Sequence, residues 1–262
     1  AVADAVSDDP DVVTMVHNET STGLLNPVPE VGEIAAEHDA RFVVDGVTSI
    51  GGDEFLVDEW DVDLAITDAQ KCLAAPPGLS ALYATPEARD AFGGEDAPFY
   101  EDLDWHVRKA DSHQTPFTSA VPLFRGLAVA VEHIVDEGMP ERISRHRRQS
   151  AAFRSAFTAM GLSPFPERNE VSEFSNTLTA ISLPQAVREN PDAFFDAVEE
   201  RGVSISGGQA HLGGEIFRVS NMGHLSDEQI LRGVRTVGEA MLEAGADVEV
   251  EAGMASARER LR

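Results

Sequence analysis

The sequence predicts an α/β fold built on a mostly parallel sheet, followed by a smaller C-terminal α+β unit. Two observations carry this. Through the first half, short apolar runs alternate with helical patterns, as strands and crossover helices do around a parallel sheet. From Asn176 onward the spacing changes to strand, helix, two strands, helix, which is the pattern of a separate small unit.

Taken in order, Asp11–Val16 (DVVTMV) reads as a buried strand, closed by the polar loop His17–Gly23 (HNETSTG). Pro29–His38 reads as a helix. Arg41–Val44 is a second strand, ended by Asp45-Gly46, and Val62–Ile66 a third, ended by Thr67–Lys71. Leu79–Ala84 is a fourth. Pro86–Ala110 reads as irregular and acid-rich. Thr118–Gly138 is a long helical pattern leading into Pro140–Met160, which carries Arg142, Arg145, Arg147 and Arg148. That basic run reads as an ion-paired helix face rather than an anion site. In the last third, Asn176–Leu183, Val203–Ser206 and Glu215–Val219 read as strands, and Pro191–Arg201 as a helix closed by Gly202. A final helix opens on the capping box Ser226–Gln229, with Ile230, Val234, Val237 and Met241 as its apolar stripe. The expected division is residues 1–140 for the α/β domain with its interdomain helix, 141–245 for the small domain, and 246–262 for a polar, loosely ordered tail.

Composition narrows the function. The 262 residues hold 46 acidic and 20 basic side chains, a formal charge of −26. Such a surface repels phosphate backbones and anionic bilayers, which argues against nucleic-acid or membrane partners. Only two of the cations are lysines, Lys71 and Lys109. Acid excess with scarce lysine suggests a halophilic source, where a Debye length of about 3 Å at 1 M salt screens the self-repulsion. No run approaches the roughly 18 consecutive apolar residues that cross a bilayer. The opening AVADAVSDDP lacks the pattern of a signal peptide, and the single cysteine, Cys72, allows no internal disulfide. The expectation is a cytoplasmic protein.

Three polar clusters follow three apolar strands: His17–Thr22, Asp45–Ser49 and Asp68–Lys71. In open α/β sheets ligands bind beyond the carboxyl ends of the strands, so parallel strands would bring these clusters to one edge. Lys71 is set between an apolar run and the rigid Pro76-Pro77-Gly78 turn. A lysine there can form a Schiff base with an aldehyde, and Asp45 can hold a proton on a ring nitrogen. Together they suit pyridoxal phosphate chemistry. A strand-end aspartate at a turn and a lysine at a helix start remain the plainer alternative.

The segments HNETSTG (17–23), VVDGVTSIGG (43–52), DAQKCLAAPPG (68–78), HQTPF (113–117) and IFRVSNMG (216–223) resemble, in order, the class V aminotransferases of fold type I. The likeness is to the serine–pyruvate and alanine–glyoxylate group. Asp45 and Lys71 lie 71 − 45 = 26 residues apart, as the family's pair does. The resemblance implies that Lys71 carries pyridoxal 5'-phosphate and that Asp45 pairs with the pyridinium nitrogen. It also implies that Gln70 contacts the phosphate and Thr20 the phenolic oxygen, and that Arg218 binds the substrate carboxylate. Thr115 would reach the phosphate of a neighbouring subunit in a homodimer with its site at the interface. Alanine or serine as donor and glyoxylate or pyruvate as acceptor are the implied substrates. Thr20 as a turn cap and Arg218 as an ordinary ion pair are the alternatives from the residues alone, and His17 reads as structural.

Two departures from the family follow. Ser112 stands where a tyrosine is usual. The family's first third, with its phosphate-holding glycine loop and ring-stacking aromatic, has no counterpart, so the chain reads as a fragment or a truncated product. A non-catalytic relative is therefore a second reading. A cysteine desulfurase is a third and weaker one, because Cys72 adjoins Lys71.

Overall fold

The computed structural model describes residues 2–7, 9–94 and 96–262. The first part runs α1 (Val2–Ala5), β1 (Val12–Val16), β2 (Asn18–Glu19), β3 (Leu24–Leu25), α2 (Val28–Glu37), β4 (Arg41–Asp45), β5 (Leu64–Asp68) and β6 (Ser80–Ala84). It continues through α3 (Pro86–Arg89) and α4 (Leu103–Ala110) into α5 (Val121–Glu137). The main sheet has the order β1-β4-β5-β6. Its first three strands are parallel, with Val16 beside Asp45 and Asp45 beside Ile66. Strand β6 returns antiparallel to β5.

Helix α2 buries Val28, Val31, Gly32 and Ala35, a spacing of three and four that makes one apolar face. That face covers Phe42, Val44 and Ala65. A Cβ on Gly32 would stand 2.1 Å from the Trp60 carbonyl oxygen, so only glycine permits this approach. The opposite face of β1 is bare: Val12 is 49% and Val16 37% exposed. Sheets of parallel strands are ordinarily covered on both faces.

The second part consists of α6 (Met139–Ala159), β7 (Glu173–Phe174), β8 (Leu178–Ser182), α7 (Gln185–Arg188), α8 (Pro191–Glu200), β9 (Ser206–Gly207), β10 (Ile216–Ser220), α9 (Asp227–Glu243) and α10 (Val250–Arg260). Antiparallel strands β8-β10-β9 form its sheet. Phe157 and Phe194 close edge-on around Phe217, with ring centroids at 5.3 and 5.6 Å. Ser226 and Gln229 cap α9 reciprocally, as the sequence predicts. The short ribbon β2-β3-β7 stitches the two parts together.

Several expectations need correction. Residues 246–262 are not a loose tail. Helix α10 places Val250, Gly253, Met254 and Ala257 at helical spacing and buries them against α6 and α9. Pro86–Ala110 is not irregular throughout. Thr85 and Asp102 accept hydrogen bonds from the Ala88 and Trp105 amides and start α3 and α4. The predicted strand Val203–Ser206 survives only as β9, because β10 pairs with Ser206 and Gly207 alone.

Candidate active site

Strand β5 delivers the chain to Asp68, whose carboxylate accepts from Ser80 Oγ (2.6 Å) and Gln70 Nε2 (3.1 Å). A tight turn follows. Ala75 N donates to Ala69 O (2.8 Å) and Ala74 N to Lys71 O (3.0 Å). Ala74 adopts φ 59°, a left-handed conformation that costs a non-glycine residue about 1 kcal/mol. Cys72 is fully buried and its Sγ donates to Thr48 O (3.2 Å). Burial pushes this thiol up to about 12. The backbone after Lys71 is thus fixed while the lysine side chain stays half-buried at the sheet's carboxyl edge.

That side chain faces a cavity of about 580 Å³ whose walls also carry Gln70, Thr20 and Arg218. The second part supplies Arg218 from the middle of β10, opposite Ala180 and Ser206. Its Nε donates to Gly207 O (2.9 Å) and its Nη1 to Thr20 O (2.7 Å). Desolvation lowers its pKa, with Glu19 opposing, and no carboxylate among the described residues lies within ion-pair distance. Arg218 is therefore not an ordinary ion pair. It is a buried cation whose Nη2 has no hydrogen-bond partner among the described residues. Thr20 Oγ1 lies 3.2 Å from Thr48 Oγ1, and Thr48 Oγ1 donates to Asn18 O (2.8 Å).

Asp45 ends β4 in register with Ile66, two residues before Asp68, so it shares the carboxyl edge with Lys71. Phe42 and Val44 point into the α2 core, so Asp45 points to the other face of the sheet, where it is exposed. Its Oδ1 accepts from Val47 N (2.9 Å). It lies outside the cavity walls, as does Thr115, whose Oγ1 donates to Phe117 O (2.5 Å) before α5. His17 is buried against Phe55 and Trp60, at centroid distances of 5.5 and 5.4 Å, and burial lowers it to about 4. It is a neutral packing group.

The structure also brings in residues the sequence reading missed. Ser206, Gln209 and Met222 line the cavity from segments flanking Arg218. Asn18 Nδ2 reaches Thr48 O, Ser175 Oγ and Thr177 Oγ1, each at 2.9 Å, and holds the Thr20 loop between the two parts. Asn18 lies inside the HNETSTG motif, which was the available signal. Met222 lies inside the IFRVSNMG motif in the same way, and nothing in the spacing marked Gln209.

The residue set fits pyridoxal phosphate by its donor chemistry. An amine, a guanidinium and neutral amide and hydroxyl donors converge on one cavity, and a carboxylate stands on the same edge. Comparison with known proteins agrees. The family model described as Aminotransferase class-V matches residues 1–225. An uncharacterized aminotransferase of Methanocaldococcus jannaschii is 37% identical over 97% of this chain and 66% of its own. The L-aspartate–glyoxylate aminotransferase of Paracoccus denitrificans is 33% identical over 96% of this chain and 63% of its own. The solved ureidoglycine–glyoxylate aminotransferase of Bacillus subtilis superposes with a TM-score of 0.87 at 29% identity, over 95% of this chain and 65% of that one. The chain thus spans a little under two thirds of the length of these relatives, and it belongs to the class V aminotransferases, a family of pyridoxal-phosphate enzymes.

Proposed function

We propose that the complete protein is an aminotransferase that moves an amino group from a small amino acid, alanine or serine, to a 2-oxo acid such as glyoxylate or pyruvate. The observation that carries this reading is the meeting of Lys71 and Arg218 in one cavity, with Thr20 bonded to Arg218 between them. Lys71 would hold the cofactor through Nζ, Gln70 its phosphate, Thr20 its phenolic oxygen and Asp45 its protonated ring nitrogen. When bound, pyridoxal phosphate supplies the aldehyde that accepts the amino group and a ring that withdraws electrons from the substrate carbon. Arg218 Nη2 orients the substrate through its α-carboxylate. Lys71 Nζ then moves the proton at the substrate α-carbon. Around Arg218 the walls carry the neutral Ser206, Gln209 and Ser220 and no second arginine, which favours monocarboxylate donors. Glyoxylate as acceptor is supported by its place in the names of two of the relatives above.

The test is borohydride reduction of the complete gene product with pyridoxal phosphate, followed by peptide mapping. Adduct on Lys71, lost together with turnover in Lys71→Ala, supports the reading; a colourless protein without adduct refutes it. A second reading, a non-catalytic relative, is favoured by the bare face of β1 and by Asp45 standing outside the cavity. Titration of the 262-residue chain with pyridoxal phosphate separates the two, since tight binding with transamination excludes the inert form. The desulfurase reading is disfavoured by Cys72, which is buried and bonded rather than a mobile thiolate.

A homodimer with Thr115 serving the neighbouring site is part of the proposal. Helix α5 supports it by leaving Phe124, Val131 and Val135, which share one face at helical spacing, 46%, 39% and 71% exposed, an apolar strip suited to a second copy. The acidic surface supports a high-salt cytoplasm as the working environment. Full activity in dilute buffer would remove the high-salt part.

A further inference from the structure

Behind the cavity lies a charged cluster that the proposed chemistry does not use. Glu137 ends α5, Gly138 turns the chain at φ 81°, and Arg142 and Arg145 follow one turn apart on α6. Arg142 is among the largest side chains buried in the protein, at 2% exposure. Every nitrogen of its guanidinium donates: Nε to Gly51 O (2.6 Å), Nη2 to Cys72 O (2.7 Å) and Nη1 to Glu137 Oε2 (2.9 Å). Arg145 donates to the same carboxylate from Nε (2.5 Å) and Nη2 (3.0 Å), and Nη2 also reaches Gly223 O (3.0 Å). The two guanidiniums hold the Glu137 carboxyl down at about 2.

The carbonyls at the far ends of this cluster have meaningful addresses. Cys72 directly follows Lys71. Gly223 lies five residues beyond Arg218, at the end of the segment that leaves β10. Their loops also touch each other: a Cβ on Gly223 would stand 3.2 Å from Ala74 Cβ. One ionised carboxylate therefore ties the backbone beside the amine to the backbone beyond the substrate-binding guanidinium. Burying an arginine for backbone acceptors is costly, and apolar residues of similar volume often fill such space with no loss of stability. Fold stability alone does not call for this arrangement.

We propose that Glu137, Arg142 and Arg145 are positioning residues that fix the separation between Lys71 and Arg218, and so between the proton-moving amine and the substrate carbon. The inference rests on the aminotransferase reading above. Misplacement of reacting groups by about 1 Å costs on the order of a hundredfold in rate. Loosening the tie should therefore lower kcat and leave donor binding nearly intact. His224 Nδ1 faces Glu137 at 4.0 Å and His146 Nδ1 contacts Arg142 O at 2.8 Å. With Glu137 ionised down to about 2, the tie is constant across working pH and is no switch.

The experiment uses the complete gene product and the variants Arg142→Lys, Arg142→Ala, Arg145→Lys and Glu137→Gln. Two quantities are read: the rate at which Lys71 captures pyridoxal phosphate, trapped by borohydride and mapped by mass, and kcat separately from KM for alanine. Expected for Arg142→Lys are slower capture and a kcat loss of roughly tenfold to a hundredfold, with KM changed less than about threefold. Arg145→Lys keeps the Cys72 bond and should show the smaller loss, so it carries the test if Arg142→Lys fails to fold. Exogenous guanidinium should partly restore kcat in Arg142→Ala. A folded variant with wild-type capture and wild-type kcat overturns this inference alone. Wild-type protein that fails to capture the cofactor on Lys71 overturns the aminotransferase reading and this inference with it.

Discussion

Replacing Arg218 by lysine tests how the cavity recognises its substrate. Two of the five guanidinium hydrogens are committed to Gly207 O and Thr20 O, which leaves Nη2 and the remaining Nη1 hydrogen available to the proposed substrate carboxylate. A hydrogen bond to a charged group contributes about 1.5–3 kcal/mol, so two such bonds contribute about 3–6 kcal/mol. Lysine keeps the charge but offers a single ammonium and no planar fork. With half of that energy or more lost, and about 1.4 kcal/mol per factor of ten, kcat/KM for alanine should fall at least roughly tenfold, reaching a hundredfold or more at the upper end of that range. Loss of the two backbone bonds should also lower stability by about 1–3 kcal/mol, seen as a lower urea midpoint. The assay compares alanine with ethylamine, which has no carboxylate, in wild type and variant. Only the alanine reaction should suffer. Equal losses for both amines, or an alanine loss below about threefold, would refute Arg218 as the carboxylate anchor.

Other consequences can be measured without turnover. Burial raises the Asp53 carboxyl from 3.8 to about 7, so the folded state keeps a proton that the unfolded chain releases. Its contribution to stability is complete below about pH 4 and is lost as pH rises toward 7, a change on the order of 4 kcal/mol. His17 and His146, both lowered to about 4, act in the opposite sense, with stability rising between about pH 4 and 6.5. Asp53→Asn should therefore gain stability relative to wild type between pH 5 and 7.5 in urea titrations; parallel curves would contradict this. Gly253→Ala places a Cβ 2.5 Å from Met160 Cγ and Cε and 2.9 Å from Ala156 O, and the overpacking should cost about 1–3 kcal/mol. An unchanged thermal midpoint would return residues 246–262 to the status of a tail. Cys72, bonded to Thr48 O and raised to about 12, should resist iodoacetamide at pH 8 in native protein and react after denaturation.

The alternation of apolar runs and polar strand ends was enough to read the parallel core from the sequence. The same pattern carried Lys71, Thr20 and Asp45 to one edge. Strand direction is a different matter: nothing in Ser80–Ala84 marks β6 as antiparallel, because that depends on the return path through the Pro76-Pro77-Gly78 turn. Helix α10 was hidden because its buried stripe uses small residues, Gly253 and Ala257, among four charged ones. The caps of α3 and α4, Thr85 and Asp102, were legible in principle but sat in an acid-rich stretch that masked them. The basic run of α6 is ion-paired as read, Arg142 and Arg145 with Glu137 and Arg148 with Asp227, but the depth of Arg142 was not legible: its guanidinium enters the core because only tertiary packing supplies Gly51 O and Cys72 O as acceptors. Arg147, the third of the run, remains exposed.

The seat of α10 sets an order of events during synthesis. Its buried residues fill the seam between α6 and α9, so the half of the cavity that holds Arg218 cannot consolidate until residues 250–260 have left the ribosome. The local bonds of the lysine turn can close much earlier, while its tie to Arg142 waits for α6. Nascent chains stalled ahead of this helix should therefore present a protease-resistant sheet attached to a still-labile carboxy-terminal half.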